Sequence, residues 1–426
     1  MLKKRKFWVH CVLATAFIFG FMYVAGRLFV IFDFLDPIGD ALEGYELTDQ
    51  VFSNEQWREV PPAEENIIIV NIGGDKLGPE ARRITAQQIN IINSFGPKVI
   101  GLDANYRNLK PDTLGDLMLA DALSNTPNIV MYAKMLDVGD DGIWNDIEYA
   151  NPVFTQDHMT GATNFPIENV GGEQWQFKSN RTFFPREYYR NKETGEIDTV
   201  LAFAVQVAKA FAPEKVEKFL ARNNDEELTN FTGNVVDYGR TRLGTRFYVL
   251  DWWQILDTMQ YTPDLLKDKI VLMGFLGNDF DDVRTTEDKY FTPLNTRFAG
   301  RAFPDMFGVV VHANIVSMIL NERYLDQMDE TTAWILAVLV CFLNVVVFSI
   351  IYYKLDKWYD GITKLIQLVE ALVLTFIIIV VFHYFSFKLN LTWTIIAVLF
   401  AGDSLEVYYG VIVNAYEKIE KKWLTK

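Results

Sequence analysis

Residues 7–32 read FWVHCVLATAFIFGFMYVAGRLFVIF, an apolar run long enough to cross a hydrocarbon layer as one helix, which takes about 20 residues. Four basic residues precede it, at positions 3–6. The positive-inside rule therefore predicts a cytoplasmic N-terminus at residues 1–6, followed by a membrane span. Small residues at 24–26 leave a cleaved signal peptide as the alternative, but the run is longer than a signal core and continues past them.

Three further apolar runs lie at 332–353, 365–387 and 391–413. Lysines follow the second and fourth spans, which predicts that the loop between the second and third spans and the tail at 414–426 are cytoplasmic. Four spans then place both termini inside and the segment 33–330 outside. A buried hairpin of a soluble protein is the alternative, and three successive runs of more than 20 apolar residues disfavour it.

The composition excludes several classes of protein. A net charge of -15 offers no basic face for nucleic acid. The two cysteines, Cys11 and Cys341, both fall in predicted spans, so the external segment has neither a disulfide nor a cysteine zinc site. No phosphate-binding loop, HExxH or GxSxG motif occurs, and the sequence predicts neither an enzyme nor a cofactor. Whether the external segment binds a metal stays open.

The external segment alternates between strand and helix patterns. Its first half predicts strands at 65–72, 98–103 and 128–133 and helices at 80–95 and 114–123. Beyond an irregular insertion with antiparallel character at 138–196, it predicts helices at 200–211, 248–257 and 308–320 and a strand at 266–274. Such alternation is typical of βαβ units. We therefore predict an α/β fold with a parallel or mixed sheet flanked by helices, carrying an antiparallel insertion, plus a four-helix transmembrane region.

Several segments resemble one known family in their order along the chain. They are IIIVNIGGD (67–75), KVIGLDANY (98–106), NIVMYAK (128–134), KDKIVLMGF (267–275) and FGVVVHANIVSMIL (307–320). Together with one span before and three after, they resemble the CHASE2 sensor domain, an extracytoplasmic domain of signal transduction. Family members commonly continue into a cyclase, kinase or diguanylate cyclase, whereas this sequence has only 414–426 after the last span. A second difference from the family pattern is the segment GPEARR at 78–83.

The resemblance implies a membrane sensor or scaffold subunit that has no enzyme of its own. Its external domain would bind a small ligand or a protein, and its spans would couple to a membrane or cytoplasmic partner that supplies the output, docking through 416–423. The expected location is the inner membrane of a bacterium, with a large periplasmic domain, and a homo-oligomer is compatible with it. The alternative is an accessory subunit of a secretion, motility or respiratory machine.

Polar residues follow the predicted strands of the external domain. In an open α/β sheet, such residues meet at the carboxyl edge, where ligands bind. Their oxygen atoms suit a cation or a polar ligand. The alternative is that they cap helices and form turns. The candidate ligand-binding residues are Asp75, Asp103, Asn105, Asp281 and Asp282.

Two further groups of residues in the external domain have a functional and a structural interpretation. His312 begins an otherwise apolar helix, so it could bind a ligand or sense pH, or it could simply bond a backbone carbonyl. Arg82, Arg83 and Arg107 lie near the acidic residues and could bind an anion, with pairing to nearby acids as the alternative.

Carboxylates also fall inside the predicted spans, where ionisable groups are costly. Glu370 lies in the third span, and Asp403 and Glu406 lie in the fourth. The spacing of Asp403 and Glu406 predicts one helix face, which with Ser404 or Tyr408 could form a proton-responsive polar seam. The alternative is hydrogen bonding that fixes helix packing.

Overall fold

The computed structural model divides the chain into two compact units, Ala41–Leu325 and Met1–Asp40 together with Asp326–Lys426. We call them the sheet unit and the helical unit. The structure describes residues 4–32, 48–53, 62–166, 168–169, 178–192, 194–236, 246–281, 285–295 and 304–415. Within these ranges, the side chains of 4–5, 25–32, 50, 53, 75–76 and 168–169 are left undescribed.

The sheet unit is built around a mixed sheet, as the sequence predicts. Its strands run in the order β7-β6-β4-β3-β2-β9-β1-β8, with β5 also paired to β3. The stretch from β3 to β8 is parallel, whereas β4 is antiparallel to β3 and β7 is antiparallel to β6. The strands are β1 (Glu64–Asn71), β2 (Val99–Asp103), β3 (Ile129–Val138), β4 (Trp144–Tyr149), β5 (Met159–Ala162), β6 (Arg186–Arg190), β7 (Ile197–Leu201), β8 (Phe247–Leu250) and β9 (Ile270–Gly274).

Helices cover both faces of the parallel part of this sheet. On one face, α1 and α2 pack their apolar residues against alternate side chains of β1, β2 and β9, such as Ile68, Leu102 and Val271. On the other face, α3 and α6 approach the sheet closely at glycines. A methyl group added at Gly274 would lie 2.6 Å from Val309 Cβ. The helices are α1 (Ala81–Ser94), α2 (Thr113–Ser124), α3 (Phe203–Phe211), α4 (Pro213–Leu220), α5 (Trp252–Leu256) and α6 (Gly308–Leu320).

Burial on both faces explains why the central strands are continuously apolar rather than alternating. In β9 all five residues are buried. In β1 the last five residues are buried. The apolar runs that predicted these strands are therefore the direct consequence of a sheet enclosed between two layers of helices.

One predicted element differs clearly from the structure. The sequence predicts a helix over 248–257, but residues up to Leu250 form β8, which pairs in parallel with β1. Asp251 ends the strand and caps α5, its side chain accepting from the third amide of that helix while Gln254 bonds back. The helical prediction is wrong for 248–250 because pairing with β1 at the sheet edge outweighs the local pattern.

The helical unit contains four helices long and apolar enough to cross a membrane, among the residues described. A short parallel pairing joins Asp326–Gln327, just before apolar helix 2, to Phe387–Lys388, in the turn between helices 3 and 4. Both segments therefore lie at the same end of the unit. Apolar helices 1 to 4 are Lys4–Phe32, Glu330–Lys354, Tyr359–Phe385 and Thr392–Val407, the last continuing as a π-helical segment at Tyr408–Val413.

The helices of this unit pack through small residues. Ala14 of helix 1 and Ala397 and Ala401 of helix 4 are fully buried in one cluster. Helix 3 instead exposes large apolar side chains, including Leu372 and Phe376. Close packing at small residues with apolar side chains facing outward is typical of helices that associate in lipid.

Candidate functional site

The parallel strands end in one row at the carboxyl edge of the sheet. Asn71 of β1 stands opposite Gly274 of β9, and Gly274 stands opposite Asp103 of β2. Val70 pairs with Leu250, so Asp251 follows next to Asn71. In open α/β sheets, ligands bind at this edge.

Asn71 organises the loops at this edge. Its amide Nδ2 donates to Asp251 Oδ1 (2.8 Å) and to the Gly277 carbonyl (3.2 Å), and its Oδ1 accepts from the amides of Gly73 (3.0 Å) and Leu276 (3.1 Å). The side chain thus uses its full hydrogen-bonding capacity while fully buried. We call these five residues the asparagine hub. The hub fixes the loops after β1 and β9, and the Asn71 side chain has no spare group for a ligand.

A second group lies beside the hub, at the end of β2. Asp103 ends that strand, and His312 lies in the first half of α6. Asp288 and Tyr290 come from the segment between β9 and α6, where Lys289–Tyr290 pairs with Met306–Phe307. Two phenylalanines complete the group. We call it the acid–aromatic cluster, and its members are Asp103, Phe165, Phe203, Asp288, Tyr290 and His312.

His312 is enclosed by rings yet keeps unmet hydrogen-bonding capacity. It is 2% exposed, and its ring centroid lies 4.5 Å from that of Phe165 and 5.0 Å from that of Phe203. Nε2 faces Asp103 Oδ2 at 3.9 Å, beyond hydrogen-bond distance. Nδ1 is buried without a hydrogen-bond partner in the described part of the chain. Burial lowers the pKa of His312 to about 3, so the imidazole is neutral.

At neutral pH, one of the two carboxyl groups of the cluster is ionised and the other is protonated. Burial, followed by repulsion from Asp288, raises the pKa of Asp103 to about 8. Asp288 is exposed at the surface, but partial desolvation by the surrounding protein raises the pKa of its carboxyl group to about 6, and attraction to Lys178 opposes this rise. Asp288 also sits at the start of α6, where the Gly308 amide donates to its backbone carbonyl (3.0 Å). The helix dipole favours an anion there, so at neutral pH Asp288 holds the charge and Asp103 the proton.

The structure brings together two of the six predicted ligand-binding residues, Asp103 and His312. Asn105 is engaged elsewhere, because its amide donates to Glu148 of β4 (3.1 Å). Asp281 is exposed and acts on Asp251 only through its charge. Two predicted residues give no side-chain geometry: Asp75 begins a 3-10 turn at Asp75–Glu80 with an undescribed side chain, and Asp282 lies outside the described residues.

Four members of the cluster were missed by sequence reasoning. Asp288 and Tyr290 belong to the acidic segment before Thr292, but nothing in its spacing distinguishes them from loop residues. Phe165 and Phe203 lie far from either carboxylate in the sequence. Only the folded sheet brings these distant segments to one end of β2.

The three candidate anion-binding arginines are all paired with acids. Arg82 forms a buried ion pair with Asp116, and Arg83 bonds Asp112 at 2.6 Å. Arg107 contacts Glu148 at 2.5 Å. The pairing interpretation therefore accounts for the contacts of all three.

The carboxylates of the predicted spans differ in their surroundings. Asp403 pairs with Lys364, and both side chains are more than half exposed. Glu406 is exposed as well, whereas Ser404 and Tyr408 are buried, so these four side chains do not share one helix face. Glu370 lies partly buried in helix 3, and its Oε2 has no hydrogen-bond partner within the described ranges. The candidate tail at 416–423 falls outside the described residues.

Apolar helix 4 is hydrogen-bonded to each of the other three. The Tyr408 hydroxyl lies 3.1 Å from His10 Nδ1 of helix 1. The Tyr409 hydroxyl lies 3.1 Å from Ser349 Oγ of helix 2. Gln367 of helix 3 donates to the helix 4 carbonyls at 398 (2.9 Å) and 399 (2.8 Å). A shift of helix 4 would therefore change its hydrogen bonds to all three of the other helices.

Comparison with known proteins gives one match. The family model of the CHASE2 domain matches residues 24–352, from the first apolar helix into the second. No curated protein and no solved structure matches the chain. The matched range includes the whole nine-stranded sheet and every member of the acid–aromatic cluster.

Proposed function

The chain belongs to the CHASE2 family of extracytoplasmic sensor domains, and from this we propose that it acts as a membrane sensor or scaffold subunit without enzymatic activity. Its sheet unit binds a small ligand or a protein outside the cytoplasm. Its apolar helices pass the bound state to a separate membrane or cytoplasmic partner. The membrane is the inner membrane of a bacterium, and the sheet unit is periplasmic.

The acid–aromatic cluster is the observation that carries this proposal. It lies at the carboxyl edge of the sheet, where ligands of such folds bind. It combines carboxyl groups with perturbed pKa values, a histidine with an unmet hydrogen bond, and three aromatic rings. Perturbed titratable groups that converge in this way are typical of functional sites.

The helical unit supports the coupling step of the proposal. Helix 4 bonds helices 1 and 2 through Tyr408 and Tyr409, near the end that the lysine pattern assigns to the cytoplasm, and it bonds helix 3 through carbonyls in its first half. Its π-helical segment at Tyr408–Val413 carries two of these bonds. Such segments are frequent at functional sites.

The topology makes a direct prediction for cysteine labelling. Met259, which is 93% exposed, represents the external side, and Lys357, in the loop between helices 2 and 3, represents the cytoplasmic side. In spheroplasts, a membrane-impermeant maleimide is expected to label Met259→Cys at once, and Lys357→Cys only after permeabilisation. Cys11 and Cys341 are buried, so the unsubstituted chain serves as an unlabelled control. Labelling of Lys357→Cys in intact spheroplasts would contradict the topology.

Purification of the tagged full-length chain from its native membranes tests the function. A sensor predicts a partner whose association or activity differs between the unsubstituted chain and Asp103→Asn, because this variant changes the cluster without removing a fold element. An accessory subunit of a larger machine predicts a fixed stoichiometric complex that Asp103→Asn leaves unchanged. That second result would overturn the sensor proposal.

A further inference from the structure

We propose that the acid–aromatic cluster binds the primary ammonium group of a small organic amine, with Asp103 as the counter-ion and His312 as a hydrogen-bond acceptor. This inference rests on the proposed sensor function and names the ligand class of the same site.

The carboxylates set the sign of the ligand's charge. Asp103 is 19% exposed and Asp288 is exposed, so water and small solutes reach both. Lysines 134 and 178 act on Asp288, as does the acid Glu287. Among the described residues, the titratable groups that act on Asp103 or face it are Asp288, the neutral His312 and the hydroxyl groups of Tyr132 and Tyr290, none of which is a cation. Asp103 is therefore the carboxyl group that lacks a cation.

His312 gives an observation that is independent of the acids: its side chain is 2% exposed, and its Nε2, which faces Asp103, has no hydrogen-bond partner among the described residues. A polar atom buried without a partner costs about 1–3 kcal/mol, and native proteins seldom leave one. The ring edge carrying Nε2 faces Asp103 across 3.9 Å, too far for a direct bond. In the neutral imidazole with its proton on Nδ1, Nε2 is a hydrogen-bond acceptor, so a ligand with N–H donors can bond both Nε2 and Asp103.

The rings packed around His312, which faces Asp103, favour an organic cation. Phe165 lies edge-on to Tyr290, with centroids 5.4 Å apart, and Phe203 lies edge-on to His312 at 5.0 Å. Aromatic faces attract ammonium groups within about 6 Å and also pack against an alkyl chain. A metal ion is a poorer candidate, since the described residues contain no group of three or more His, Cys, Asp or Glu side chains arranged to hold one.

Binding exchanges one cation for another. In the free protein at neutral pH, Asp103 holds a proton, since its pKa is about 8. The ammonium group replaces that proton, which leaves to the solvent, and the carboxylate that remains pairs with the ligand. Affinity must therefore rise with pH up to about 8 and then level off.

Calorimetric titration of the full-length chain in lipid nanodiscs tests the proposal. The probes are propylammonium chloride, tetramethylammonium chloride, which has no N–H donor, and neutral 1-propanol. Propylammonium is expected to bind about 25-fold tighter at pH 8.5 than at pH 6.5, following the ionisation of Asp103. Tetramethylammonium should bind more weakly than propylammonium, and propanol should not bind.

Variants locate the site. Asp103→Asn should abolish propylammonium binding, and His312→Phe should weaken it. Asp268→Asn, an exposed acid just before β9 at the opposite edge of the sheet, should not affect it. Equal binding of propylammonium and propanol, or unchanged binding by Asp103→Asn, would overturn the ammonium site.

A measurement on the unsubstituted chain covers the case in which a variant fails to fold. Titration at pH 7 in two buffers of different ionisation enthalpy should show net proton release on binding of propylammonium, and its absence overturns the proposal. The sensor function is tested separately from the ligand class. If Asp103→Asn changes partner association although no ammonium binds, the sensor remains and only its ligand class is wrong.

Discussion

Asp103→Asn is expected to make the full-length chain clearly more stable than the unsubstituted protein at pH 9, and to give a much smaller gain at pH 5. The folded-state pKa of Asp103, about 8, lies above its ordinary value of 3.8. Between these values the folded state holds a proton that the unfolded state has lost, so stability falls as pH rises. Each unit of pKa difference corresponds to about 1.4 kcal/mol. Asparagine cannot ionise, so the variant does not lose stability in this way as pH rises.

The difference between variant and unsubstituted protein isolates the contribution of Asp103. His312 acts with the opposite sign, because its depressed pKa makes stability fall as pH drops from about 6.5 towards 3, but it does so in both proteins. Thermal unfolding in one detergent from pH 5 to pH 9 gives the comparison, with Asp268→Asn as the matched control. A variant whose advantage is the same at pH 5 and pH 9 would refute the buried, proton-bearing state of Asp103.

Asn71→Leu is expected to destabilise the sheet unit by about 3 kcal/mol or more. The substitution leaves the Asp251 carboxyl, the amides of Gly73 and Leu276 and the Gly277 carbonyl without their partner. Leucine is similar in size to asparagine but has no polar atom, so it cannot replace these hydrogen bonds. Each buried group left unsatisfied costs about 1–3 kcal/mol. Urea unfolding of the full-length chain, followed by tryptophan fluorescence, measures the loss.

A matched asparagine outside the hub provides the control for this substitution. Asn128 is exposed just before β3, so Asn128→Leu should change stability by less than about 0.5 kcal/mol. If the two variants lost equal stability, the hub would not be what holds the loops after β1 and β9. If Asn71→Leu also disturbed ligand binding at the acid–aromatic cluster, the two parts of the edge would be coupled.

Elements with strong local signals were predictable from the sequence. The helix at 308–320 matches α6, and the apolar runs at 65–72 and 98–103 lie over β1 and β2. The error at 248–250 has the opposite cause: whether those residues form a strand depends on β1, which lies far away in the sequence. Tertiary pairing at a sheet edge leaves no local periodicity to detect.

The candidate site was predictable only in part for the same physical reason. Asp103 follows a buried strand and His312 interrupts an apolar helix, and both irregularities are visible in the sequence. Phe165, Phe203 and Asp288 become neighbours of Asp103 only through folding, so no spacing rule reveals them. The span carboxylates show the limit of helix-face reasoning, because the predicted seam with Ser404 and Tyr408 needs faces that the packed helices keep apart.

A change of state in the sheet unit is expected to reach the ends of the apolar helices that the proposed topology places in the cytoplasm. Spin labels on Lys6→Cys and Gly410→Cys, both exposed, would report the distance between helices 1 and 4 in a chain whose Cys11 and Cys341 are replaced by serine. Double electron–electron resonance in nanodiscs at pH 6 and pH 9 brackets the titration of Asp103. We predict a shift in the distance distribution that Asp103→Asn suppresses. Identical distributions at both pH values in the otherwise unsubstituted chain would contradict the account.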